Sequence, residues 1–227
     1  ALTLRGHARE ALSVRRTDES LSLAMVAGET PIAAADSALK AGLAKGQGCG
    51  PCVVSFWGMM GDTASIQYVL HLGDSVGKLP HPPAEPGLIL HTMAVGHAYL
   101  TLARHDSAAA LREFNAIPDS LCHACGWSFI TQAQLLSALG RNAEAAAVLD
   151  ELGVFNSPVG TLAEFERARV AEKLGDKPRA RDGYAFVAGM WEHGDPFFKR
   201  YADEASAGLK RLSEENGATQ IPLSKKP

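Results

Sequence analysis

The sequence predicts an all-α chain of stacked helix–turn–helix units, and three observations carry that prediction. The first is composition. The chain is 46% hydrophobic but only 7% aromatic and is rich in alanine. Such chains suit closely packed helices better than sheets. The second is a period. The turn-like stretches RHDSA (104–108), LGRNA (139–143) and LGDKP (174–178) centre on His105, Gly140 and Gly175, spaced by 35 and 35. A fixed period in this range signals stacked repeats. The third is a set of residue columns in that register. Val95, Ile130 and Phe165 align before the turn, as do Ala98, Ala133 and Ala168. After it align Ala110, Ala145 and Ala180, then Phe114, Leu149 and Tyr184, then Ile117, Leu152 and Val187. The later set has offsets of four and three, one face of a helix.

The alanine columns have a physical reason. Helix axes packed ~8–10 Å apart leave room only for small side chains at the closest approach. The larger columns fill the gap to the next unit. Paired helices with Gly and Asp at the mid-turn and small residues at the crossing resemble the tetratricopeptide repeat. The resemblance covers residues 88–193 well and 18–77 more weakly. It implies a right-handed α-solenoid, closed at its carboxy end by an extra amphipathic helix, and a protein-binding role.

In chain order, residues 1–78 read as divergent helical repeats, with helices expected near 7–16, 18–27, 30–44, 51–60 and 63–77. Gly6 and Ala11, like Gly28 and Ala33, repeat the Gly-to-Ala offset of Gly140 and Ala145. MGDTA (60–64) supplies a further turn at Gly61. Residues 79–87, LPHPPAEPG, hold four prolines. Prolines cannot continue a helix and favour extended backbone, so this stretch predicts a stiff connector. Residues 88–193 carry three repeats, the last two the most regular. Asp195-Pro196 reads as a helix start, with Asp capping and Pro in the first turn. Phe197, Tyr201, Ala205, Gly208 and Leu212 then follow at helical spacing, giving a capping helix over 194–213. Residues 214–227 read as a tail without helical pattern.

Four cysteines fall in two C-x-x-C pairs, Cys49/Cys52 and Cys122/Cys125. CGPC is the motif of thioredoxin-like oxidoreductases, where it follows a buried strand. Here SALKAGLAKGQG precedes it, a helix running into a Gly-rich turn. CGPCVVSFW and CHACGWSFI share C-x-x-C-x-x-S-F, with Ser55 and Phe56 matching Ser128 and Phe129. The device recurs between repeats and reads as structural, with each Phe in the core. Stacking would set the two pairs about 20 Å apart, too far for one zinc needing four sulfurs at ~2.3 Å. Two local disulfides, Cys49–Cys52 and Cys122–Cys125, remain, each stapling an inter-repeat turn by roughly 2 kcal/mol. Paired free thiols are one alternative; a metal held by Cys122, His123 and Cys125 alone is another. Disulfides would place the protein outside the cytosol, secreted, at the cell surface or in a periplasm.

The net charge of -3 and pI near 6.3 give no electrostatic footprint for nucleic acid. No apolar run reaches 18 residues, so no membrane span is expected. The chain starts at Ala1 without Met, which reads as a processed mature protein or a fragment. The eight histidines are scattered and read as surface or capping residues. No metal-protease, phosphate-loop or hydrolase-elbow motif occurs. The sequence therefore assigns no catalytic residue, metal or cofactor, and nothing identifies a small-molecule ligand.

Three functions follow as expectations. The first is a non-catalytic scaffold for protein assembly, extending to a self-assembling extracellular filament subunit. The second is a regulatory module of a bacterial signalling protein, whose carboxy-terminal parts the Pro118–Cys122 run resembles. The third is a thiol–disulfide oxidoreductase using Cys49 and Cys52. The filament expectation starts from the amino end. Gly6 and the helix after it read as a mid-turn plus second helix, leaving Ala8, Ala11 and Leu12 to be covered from elsewhere. A neighbouring copy, through its last helix or the Ile221 and Leu223 tail, would cover them head to tail.

Overall fold

The structure, a computed structural model, describes residues 2, 4–14, 21–22, 24, 27–29, 31–46, 50–78, 86–118, 126–152 and 157–218, the last four of these by backbone only. Every regular element among them is a helix: α1 (Ala8–Val14), α2 (Ile32–Ala44), α3 (Gly50–Met60), α4 (Thr63–Val76), α5 (Pro86–Ala103), α6 (Ser107–Asn115), α7 (Gly126–Ala138), α8 (Asn142–Glu151), α9 (Pro158–Leu174), α10 (Lys177–Trp191) and α11 (Pro196–Ala218).

One turn recurs along the chain. Gly6, Gly28, Gly61, Gly140 and Gly175 all have φ between 70° and 79°, the left-handed region that costs glycine nothing. At each, the next residue's N–H bonds back to the carbonyl five residues earlier: His7 to Leu2 at 3.0 Å, Glu29 to Ala24 at 2.7 Å, and Asp62 to Trp57, Arg141 to Leu136 and Asp176 to Ala171 at 2.9 Å. This is the Schellman closure of a helix end. His105 takes the same left-handed conformation, at φ 64°. The following aspartates then start the next helix. The carboxylates of Asp62, Asp106 and Asp176 accept the N–H of Ser65, Ala109 and Arg179 at 3.0, 2.9 and 3.2 Å. A single device thus ends one helix and begins its partner.

The pairs α3/α4, α5/α6, α7/α8 and α9/α10 pack against each other; α3 and α4 also meet α5, α6 meets α7, α7 and α8 meet α9, and α10 meets α11. Ala98, Ala133, Ala168, Ala110, Ala145 and Ala180 are fully or almost fully buried. So are Phe114, Leu149 and Tyr184 of the large column. Ile117 is only partly buried, whereas Leu152 and Val187 are enclosed. Two apolar cores result. One runs from α2 to α8 around Trp57, Tyr99 and Leu149, with Val170 joining it. The other gathers α7, α9, α10 and α11 around Phe165, Tyr184 and Trp191, and takes in Ala8 and Phe56 from the first quarter of the chain.

Four expectations need correction. α5 begins at Pro86, so the end of the proline-rich stretch is its first turn rather than connector. Pro is tolerated there because that turn's N–H groups have no intrahelical acceptor. Residues 79–85 lie outside the described residues. α11 runs on to Ala218, through residues assigned to the tail. His91 is not at the surface: it is 1% exposed within α5. Phe129 is only partly buried, and the neighbouring Trp127 fills the core position instead.

Candidate functional site

The two ends of the chain meet. Trp191 closes α10, Asp195 precedes α11 and Phe198 stands in its first turn. Trp191 and Phe198 are fully buried, their ring centroids 5.0 Å apart. The Trp191 indole N–H donates to the Leu4 carbonyl at 2.8 Å. The Asp195 N–H donates to the Gly6 carbonyl at 2.8 Å. The Asp195 carboxylate accepts the N–H groups of Ala8 at 2.6 Å and Arg9 at 3.3 Å. These are two of the amino-terminal N–H groups that a helix cannot satisfy by itself. Asp195 therefore caps α1, a helix 187 residues away, and not α11 as its Asp-Pro context predicts.

Gly6 permits the close approach. A Cβ at this position would stand 2.8 Å from the Phe198 Cβ, and φ of 78° already disfavours any other residue. Arg9 pairs with Glu29 at 2.5 Å, fastening the segment after α1 to the same junction.

Ala8, Ala11 and Leu12 were expected to need a neighbour's cover. Ala8 is fully buried, Ala11 nearly so, and Leu12 is partly buried against the α9–α11 core of the same chain. The cover comes from the chain's own carboxy-terminal helices. Ile221 and Leu223 lie outside the described residues.

Among the cysteines, Cys52 is described, in the first turn of α3, and it is disulfide-bonded. Cys49, Cys122 and Cys125 lie outside the described residues. The 20 Å separation argued from stacking does not hold for the helices that follow the two motifs. α3 and α7 touch, and Phe56 meets Trp127 with ring centroids 4.6 Å apart. Ser55 is buried and donates to the Pro51 carbonyl at 2.8 Å, completing the first turns of α3. No group of three or more His, Cys, Asp or Glu able to hold a metal occurs among the described residues. Nor is any helix among them long and apolar enough to cross a membrane.

A second polar assembly locks the last three helices. Tyr184 donates to Glu172 at 2.5 Å, and Arg211 donates to both oxygens of the same carboxylate at 3.1 and 3.0 Å. The Arg211 hydrogen bonds hold the Glu172 carboxyl below the ordinary glutamate value. Burial, together with the adjacent Glu172, pushes the Tyr184 phenol up. Gly208 makes room for the ring, since a Cβ there would stand 2.5 Å from it. On α9, Arg167 reaches the Leu149 carbonyl in the last turn of α8, where a cation complements the helix dipole. A cleft of about 280 Å³ opens between α6, α7 and α8, lined by Phe114, Asn115, Phe129, Gln132, Val148 and Glu151.

Comparison of the chain with protein-family models, with curated proteins and with solved structures finds no significant match.

Proposed function

We propose that this chain is a non-catalytic helical-repeat scaffold of the tetratricopeptide type, working by protein–protein association outside the cytosol. The observation that carries the reading is the recurring turn. A left-handed residue ends a helix at His105, Gly140 and Gly175, the 35-residue register that also places the buried alanines, and left-handed Gly, back-bonded next residue and capping Asp occur together at Gly61 and Gly175. An array built from one repeated unit offers extended surface, not a single cleft, as its working part. The extracytoplasmic location is supported by the disulfide at Cys52, since cytosolic thiols stay reduced. The partner in this reading is a copy of the chain itself, although the amino-terminal face first expected to drive that association is covered within the chain.

Cys52 also stands in the first turn of α3, at the second cysteine of the C-x-x-C motif from which a thiol–disulfide oxidoreductase would work. That position favours the oxidoreductase reading enough to test it. A disulfide-reduction assay comparing the native chain with Cys52→Ser decides. The scaffold reading expects the same background rate from both. Turnover that depends on Cys52 would replace it with thiol catalysis.

A further inference from the structure

We propose that the surface formed by Trp191, Asp195 and Phe198 also receives the amino-terminal segment of a second copy of this chain, so that copies link head to tail by exchanging that segment. The proposal rests on the scaffold reading and names its partner.

Four observations lead there. The hydrogen bonds between the two ends join Leu4, Gly6, Ala8 and Arg9 to Trp191 and Asp195, so these bonds need no atom from the middle of the chain. The same bonds form whether the two ends belong to one molecule or to two. Ala8 and Leu12 of α1 join the apolar core of α9, α10 and α11, and among the described residues α1 shares no extensive contact with α2 or α3. Glu29 is tied to α1 by its pair with Arg9, and Pro31 is the extended cap of α2. Pro31 has no N–H to tie it down, so the backbone enters α2 at a point that two arrangements can share. Finally, the surfaces that meet are different, a heterologous contact. Within one molecule it closes on itself; between molecules it propagates. The intramolecular form is favoured by its high effective concentration, so exchange grows with protein concentration and with transient opening.

Two full-length variants test this. Gly6→Val damages the donor, because its Cβ meets Phe198 and its backbone is strained at φ 78°. Asp195→Lys damages the acceptor by setting a cation against the α1 amino terminus. Neither links with itself. Mixed in equal amounts and refolded together, they form one intact junction between an Asp195→Lys donor and a Gly6→Val acceptor. Light scattering then shows a species of twice the monomer mass, present only in the mixture. A mixture that stays monomeric while both variants keep their helical circular dichroism overturns the proposal. Should either variant lose that signal, the native chain refolded over rising concentration answers instead. A ladder of multimers supports exchange, and monomer throughout overturns it. Neither result bears on the Cys52 assay, so failure of exchange and failure of the scaffold reading remain distinct.

Discussion

Asp195 joins parts of the chain 187 residues apart with one carboxylate. Loss of a helix cap costs about 0.5–2 kcal/mol. Asp195→Ala should therefore lower the unfolding free energy by an amount in that range, read as a lower urea midpoint, and speed amide exchange at Ala8 and Arg9. Asp195→Asn, an equally good cap, should retain most of the stability; an unchanged midpoint in Asp195→Ala would remove the capping role. The alanine columns predict the opposite kind of sensitivity. Ala145 is fully buried, and Ala145→Leu should overpack the α7–α8 crossing and destabilise by roughly 1–3 kcal/mol, read as a drop in melting midpoint. The two residues differ in how legible they were. Ala145 follows from its register, because a helix crossing needs a small side chain wherever the partner comes from. Asp195 carries a local Asp-Pro signature that fits capping of α11 equally well. Only the tertiary approach of α1 decides which N–H groups it meets.

The elements were visible where the period is strict. The turns at Gly140 and Gly175 and the helices around them follow from a 35-residue spacing and a helical face of large residues. Their limits were less visible. Proline at 86 breaks a helix interior but is welcome in a first turn, and composition alone does not separate the two. The polar residues after Leu212 carry no apolar stripe, yet none except Gly217 opposes helix strongly, so α11 continues. The lock between α9, α10 and α11 gives the pH prediction. Arg211 holds the folded Glu172 carboxyl below its ordinary value, so its stabilisation is present above the unfolded pKa and is lost as pH falls through the folded one. The folded Tyr184 phenol is raised by burial and Glu172, so its contribution is complete below the unfolded tyrosine pKa and is lost as pH rises above it. Glu172→Gln should flatten the acid limb of a stability–pH profile measured by urea unfolding. An acid limb as steep as that of the native chain would show that other carboxylates govern it.

At the scale of the molecule, a linear stack of helix pairs frays from its ends, because each unit contacts only its neighbours. Here the ends are held to each other, and Phe56 on α3 reaches across to Trp127 on α7. Loosening one end should loosen the other: Asp195→Ala should raise hydrogen exchange in α1 and in the first turns of α11 together, with α7 and α8 little changed. Independent exchange of the two ends would show that they do not form one unit. This closure is what the sequence concealed. The sequence reads Gly6 and its helix as half of a repeat and leaves Ala8 to be covered. The order of the helices does not say where the two ends of the chain come to rest, so the cover was sought in another molecule. The most direct test is the Trp191 indole proton, which donates to the Leu4 carbonyl. In dilute, monomeric protein, with its resonance assigned through Trp191→Phe, this proton should exchange slowly and show nuclear Overhauser contacts to residues 4–6. A fast-exchanging indole proton with contacts only to α10 and α11 would contradict the clasped molecule.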